Sequence, residues 1–266
     1  MTTLERATTR VRHELKRRLL QVKRVTPVTP KMVRVTLEGP ELEGFVSAAH
    51  DDHCKVMFPL PGDAKPLLPG PDAPEDAPRA PARDYTPRRY DADAGELDID
   101  FVLHGDGPAT TWAAQVAPGQ YLSVGGPRGS FVVSNDFDWY LLVGDESALP
   151  AIGRRLEELP ASCRAIVIAE VADAAEEQQF QTKAHLEVIW LHRDGAEPGG
   201  SDLLVKALAD TALPSGAGYA WAAAEADTAK ALRRHLVEER GHPKEWVKAA
   251  AYWRRGDVAV HETYND

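Results

Sequence analysis

The sequence predicts two domains: an all-β antiparallel barrel followed by an α/β domain on a parallel sheet. Three observations carry this. The chain has 266 residues, 43% hydrophobic and 27% charged, enough for two ordinary cores. Up to about residue 135, short runs of alternating apolar and polar residues are separated by turn residues. From Trp139 onward, continuous apolar runs alternate with helical stretches, as in strands buried on both faces. The expected domains are 18–136 and 137–266.

In the first half, Val33, Val35 and Leu37 alternate with Arg34 and Thr36, and Leu97, Ile99, Phe101 and Leu103 alternate with Asp98 and Asp100, the period of half-buried antiparallel strands. Eight prolines between Pro59 and Pro81 exclude a helix or central strand there, so this segment reads as an insertion between two barrel strands. In the second half, strands are expected over 139–143, 165–171, 186–191, 219–223 and 247–253. Helices should begin near Pro150, Ser201 and Asp227, with Asp227 as N-cap and Gly241 closing the last helix.

Charge and cysteine content narrow the functional classes. Lysine and arginine total 31 against 41 acids, a net charge of −10, which opposes nucleic acid as a partner. Cys54 and Cys163, the only cysteines, form neither a metal-ligand spacing nor a disulfide framework. The basic N-terminal segment lacks a secretory apolar stretch, and no run approaches the ~20 apolar residues of a membrane span. A cytoplasmic monomer with no resident metal and no membrane contact is expected.

Four stretches carry chemistry. Arg83-Asp84-Tyr85-Thr86-Pro87-Arg88 sets an aromatic ring and a hydroxyl between two guanidiniums, which suits a flat heterocycle bearing phosphate; taken alone it also fits a charged strand edge. His104-Gly105-Asp106-Gly107-Pro108-Ala109-Thr110-Thr111-Trp112-Ala113 opens a short helix whose free N–H groups could face a diphosphate, or is an ordinary turn. Gly125-Gly126-Pro127-Arg128-Gly129-Ser130 is a tight turn that allows close approach. Gly144-Asp145-Glu146-Ser147-Ala148-Leu149-Pro150 leads a buried strand into a helix, where open α/β sheets bind nucleotides, although it is not the full G-x-G-x-x-G fingerprint.

Together with Glu170 to Gln178 and Tyr252-Trp253-Arg254-Arg255-Gly256, these stretches resemble the siderophore-interacting proteins, NAD(P)H-dependent ferric-siderophore reductases of the ferredoxin-reductase-like superfamily. The resemblance covers about residues 20 to 256. It implies a six-stranded FAD-binding barrel and an NAD(P)H-binding domain, with Tyr85 on the isoalloxazine and Thr86 near its reactive edge as the catalytic pair. It implies further that Arg83 and Arg88 meet the phosphates, that Gly107, Pro108, Ala109 and Thr110 line the diphosphate, and that Asp84, Asp100, Val102, His104 and Trp112 neighbour the flavin. Gly144, Asp145, Glu146, Ser147, Ala148 and Glu225 fall on the nicotinamide-nucleotide side, NADPH or NADH. Ala224 and Ala251 stand where relatives commonly carry glycine. Lys55, Arg128 and Arg254 match the cations expected to meet a ferric siderophore, with Lys248 and Arg255 as secondary candidates. A ferredoxin-like protein, haem or free flavin as acceptor, and a flavin or siderophore carrier without turnover, are the rival readings.

Overall fold

Alternation of apolar and polar side chains gives the first half its strands and continuous apolar runs give the second half its own, so each half builds a different sheet. The computed structural model describes residues 8–68, 79–105, 107–257 and 262–264. It divides into two units, Thr9–Val132 and the chain from Val133 onward.

The first unit contains β1 (Thr8–Arg12), β2 (Arg17–Thr29), β3 (Met32–Glu38), β4 (Cys54–Met57), β5 (Ala82–Tyr85), β6 (Pro87–Asp91), β7 (Glu96–Val102), α1 (Pro108–Ala113), β8 (Tyr121–Gly125) and β9 (Gly129–Val133). Seven strands form one antiparallel sheet in the order β5-β4-β8-β2-β3-β7-β6. Its two edge strands, β5 and β6, are consecutive pieces of one run joined at Thr86. Counted as one, they give the six strands expected, and the sheet closes on itself through its own chain. Leu20, Val35, Phe58, Leu97, Ile99 and Phe101 are fully buried inside, each contributing about 1.5–3 kcal/mol.

The proline-rich segment joins paired strands, since β4 and β5 run from Cys54↔Tyr85 to Met57↔Ala82 and Phe58 N donates to Pro81 O at 2.9 Å. Residues 69–78 of that insertion, and Asp106 of the second motif, lie outside the described residues. One element was not expected. The basic N-terminal segment forms β1, which pairs with β9, and Gly129 is required there because a Cβ would fall 2.5 Å from Val11 O.

The second unit contains β10 (Trp139–Asp145), α2 (Leu149–Glu158), β11 (Arg164–Val171), β12 (His185–His192), α3 (Leu203–Asp210), β13 (Gly218–Glu225), α4 (Ala226–Arg234), β14 (Val247–Trp253) and β15 (Glu262–Tyr264). The sheet order is β12-β11-β10-β13-β14-β15. The first five strands are parallel, and β15 adds an antiparallel edge. The chain winds outward from β10 and returns at β13, so the crevice between the carboxyl ends of these strands is a topological switch point. Every residue of β10 and β13 is buried.

The N-cap of α4 is corrected from Asp227 to Glu225. The Glu225 carboxylate, held at the buried end of β13, accepts from Asp227 N at 2.7 Å and Thr228 N at 3.3 Å, which moves Asp227 into the first turn. Gly241 does follow the helix, at φ +64°. Both cysteines are free and buried. Among the described residues no helix is long and apolar enough to cross a membrane.

Candidate functional site

The strand that closes the barrel is also the one with the guanidinium-flanked ring. Tyr85 is half-buried, with its ring 4.5 Å from Phe101 and 6.2 Å from Phe58 between centroids. Burial pushes its hydroxyl pKa up, so it stays protonated. Trp112 lies behind it, 5.6 Å from both Phe58 and Phe101, and belongs to the barrel core; its Nε1 is buried with no hydrogen-bond partner. Thr86 is buried at the break between β5 and β6.

Arg83 donates to Ala82 O at 2.7 Å and has no acidic partner among the described residues. Arg88 lies 4.0 Å from Asp100, but Asp100 is committed to Arg34, which grips both its oxygens at 2.7 and 2.8 Å. Asp84 holds Lys55 across the β4–β5 pair at 2.9 Å, so these two expected site residues form a salt bridge. Val102 is half-buried and His104 exposed, and the His104 carbonyl accepts from Thr110 Oγ1 at 2.8 Å. Gly107 caps α1 without a side-chain hydrogen bond, and Pro108 follows it. The first helical bond runs from Thr111 N to Gly107 O, which leaves Ala109 and Thr110 N–H without helical partners.

Arg128 is exposed on a turn fixed from below. Ser130 Oγ donates to Asp52 at 2.6 Å and accepts from Ala48 N at 3.1 Å. His13 Nε2, also at 2.6 Å, must then be the donor to that same oxygen. Sequence reasoning missed this tie between the residue after β1, the 47–52 loop and β9, whose three side chains are far apart in the chain.

In the second unit the expected residues converge at the switch point. Gly144 admits only a hydrogen, since a Cβ would lie 2.3 Å from the Ala148 methyl and 2.5 Å from Ala223 O. Asp145 accepts from Trp253 Nε1 (2.8 Å), Glu225 N (3.2 Å), Ser147 N (3.0 Å) and Ser147 Oγ. Burial, reinforced by Glu146, pushes its pKa up to about 7 despite these donors. Glu146 is held by Arg193 at 2.6 Å on each oxygen. Arg193 also reaches Glu170 at 3.4 Å, and Glu170 accepts from Ser201 Oγ at 2.7 Å. Arg193 and Trp253 were not expected as site residues; Arg193 is a lone cation in the loop after β12, where spacing carries no signal. Arg254 is engaged by Glu262 at 3.1 and 3.2 Å. Among the described residues, no group of His, Cys, Asp and Glu could hold a metal ion.

Residues 21–131 match the siderophore-interacting FAD-binding domain, and residues 137–256 match the siderophore-interacting protein domain that follows it. The chain belongs to the siderophore-interacting protein family. The NADPH-dependent ferric-chelate reductase of Escherichia coli is 38% identical over 92% of this chain and 95% of that protein. A siderophore utilization protein from T. fusca is 44% identical, covering 96% of this chain and 98% of the other, with a TM-score of 0.87. The ferredoxin reductase in carbazole 1,9a-dioxygenase, 15% identical over 88% of this chain and 66% of that one, shares the fold at a TM-score of 0.62.

The first-unit residues suit the flavin of this family. A guanidinium, Arg83, with no acidic partner among the described residues, a helix start without a side-chain cap and a half-open aromatic ring beside three others match a planar heterocycle bearing a diphosphate. The two alanines that depart from the siderophore-interacting pattern, Ala224 and Ala251, are buried, and the Ala224 methyl packs into the hydrophobic core of the second unit.

Proposed function

We propose that this protein is a cytoplasmic FAD-dependent reductase that takes electrons from NADPH and delivers them to iron(III)-siderophores, releasing iron(II). The observation that carries this reading is the 82–91 strand, which sets Tyr85 half-open on an aromatic wall between Arg83 and Arg88. Arg83, Arg88 and the N–H groups of Ala109 and Thr110 would hold the phosphates of FAD, and Tyr85 and Thr86 its ring system. Bound there, FAD would supply the exchange between two-electron donation by a nicotinamide and one-electron delivery to two iron centres.

The substrate needs cations and no protein ligand for iron, because hard oxygen ligands hold iron(II) much less tightly than iron(III) and reduction is itself the release. Arg128, exposed and with no ion pair among the described residues, is the cation most available to an anionic chelate. Lys55 and Arg254 must first leave Asp84 and Glu262. The likeness to a relative named as an NADPH-dependent ferric-chelate reductase supports both donor and acceptor.

The test is anaerobic stopped-flow of the yellow protein with NADPH, NADH and a panel of ferric chelates, with iron(II) trapped by a colorimetric ligand. NADPH should bleach the flavin and a ferric siderophore restore it with iron(II) released. Bleaching without iron(II) release would assign a different acceptor, and flavin left oxidised under excess NADPH would leave only a carrier. Tyr85→Ala should lose bound flavin at least 10-fold more readily than Tyr85→Phe, since the ring supplies the contact.

A further inference from the structure

The turn that carries Arg128 starts beside the ring-bearing strand. Lys55 of β4 pairs with Asp84 on one side and with Gly125, the last residue of β8, on the other. At the usual strand spacing Gly125 then lies about 10 Å from Asp84, and Tyr85 is the next residue along β5. The exposed Arg128 therefore stands at the same end of the barrel as the ring.

This turn is held from outside, by the N-terminal segment. Gly126 N donates to Lys16 O at 3.1 Å, and His13 N donates to Arg128 O at 3.0 Å. Arg18, buried and with no acidic partner among the described residues, donates to Gly126 O at 3.4 Å and to the carbonyls of Lys16 and Gly44 at 3.3 Å each. The His13 ring closes the series on Ser130 Oγ at 2.6 Å, and the buried Asp52 carboxylate takes the Ser130 proton at 2.6 Å. Gly126, Arg128 and Ser130 are thus each tied down, on both sides of the Arg128 side chain. Of these ties, the one from the His13 ring comes from a half-buried side chain at the rim, so it can be cut without opening the core. The same segment is cationic: from Thr8 to Arg18 it carries Arg10, Arg12, Lys16, Arg17 and Arg18 against Glu14 alone, in a chain of net charge −10. The field around the turn favours an anion.

We propose that His13 is a positioning residue for the ferric chelate: its ring, on Ser130, fixes the turn so that the Arg128 guanidinium meets an anionic chelate on a backbone already ordered. This rests on the reading of the chain as a ferric-siderophore reductase with Arg128 as its most available cation. Ordering one free residue opposes binding by about 5-fold or more, and a turn ordered in advance is spared that cost. His13 acts on the chelate only through Arg128, so its effect follows the charge of the chelate.

The test is equilibrium binding of two redox-inert gallium(III) chelates, the anionic tris(catecholate) and the neutral tris(acetohydroxamate), to the full-length, FAD-loaded protein. The parent is compared with His13→Ala, His13→Gln, Arg128→Gln and the double variant His13→Ala with Arg128→Gln. His13→Ala should weaken the catecholate about 5-fold and leave the hydroxamate unchanged. His13→Gln, whose amide can donate to Ser130 Oγ, should recover most of that loss. Arg128→Gln should weaken the catecholate about 10-fold, and His13→Ala should add nothing in that background. In turnover of anionic ferric citrate, His13→Ala should raise KM at constant kcat. Catecholate binding by His13→Ala that matches the parent, equal weakening of both chelates, or full additivity with Arg128→Gln overturns this assignment alone. A parent that binds neither chelate overturns the ferric-siderophore reading, and the assignment with it.

Discussion

Two rows of nearly buried carboxylates, one in each unit, are stabilised by opposite means. On the barrel, Glu96, Asp98 and Asp100 point outward from β7 and each meets cations: Glu96 has Lys23, Arg24 and Arg89, Asp98 has Arg89, and Asp100 has Arg34. At the switch point, Asp145 and Glu225 are held by N–H and O–H dipoles, and Glu146 and Glu170 share the single guanidinium of Arg193. The barrel neutralises its acids where they stand, whereas the α/β unit leaves its acids to dipoles and one shared guanidinium. Removing one cation should therefore be mild in the first unit and severe in the second.

The largest effect is expected from Arg193→Met, which strands Glu146 and Glu170 together. It should cost about 3 kcal/mol or more, read from urea unfolding. Asp145→Asn comes next, because the Asn amide presents an NH₂ to N–H donors that need an acceptor. A loss of about 2 kcal/mol should appear as a lower thermal midpoint; an unchanged midpoint would mean that dipoles are not what holds Asp145.

The pH dependence separates the two rows by sign. Asp145, raised to about 7, binds its proton more tightly when folded, so its contribution is full below the ordinary carboxylate pKa and is lost as pH rises through about 7. Glu96 is lowered to about 2 by Arg24 and then Lys23, so its contribution is present above the ordinary value and lost as pH falls toward 2. In thermal melts across pH, Asp145→Asn should flatten the neutral limb and Glu96→Gln the acid limb. The smallest effect is expected from Arg24→Met. Its side chain is 47% exposed and Glu96 keeps Lys23 and Arg89, so the unfolding midpoint should stay with the parent's.

Both sheets were legible in the sequence because each has one dominant period: two for β3 and β7, continuous burial for β10, β11 and β13. The closing strand was legible as a motif but not as a closure, since pairing at both edges of one sheet is a property of register and not of composition. β1 was hidden by its charge, because its exposed side chains show no alternation. Asp227 was misread as a cap because a short acid in a first turn is the commoner solution, and nothing local announces that Glu225 folds back from a strand end. Arg193, Trp253 and the His13–Ser130–Asp52 tie escaped for a common reason: their partners are distant in the chain.

The union of β5 and β6 at Thr86 has a consequence for solubility. Because the first and last strands are short pieces of one run, four and five residues long and each paired on one side, the edge backbone left for another molecule to extend is brief. The ten residues from Ala82 to Asp91 therefore protect the first unit from edge-to-edge aggregation, and damage to them should be met first as insoluble protein.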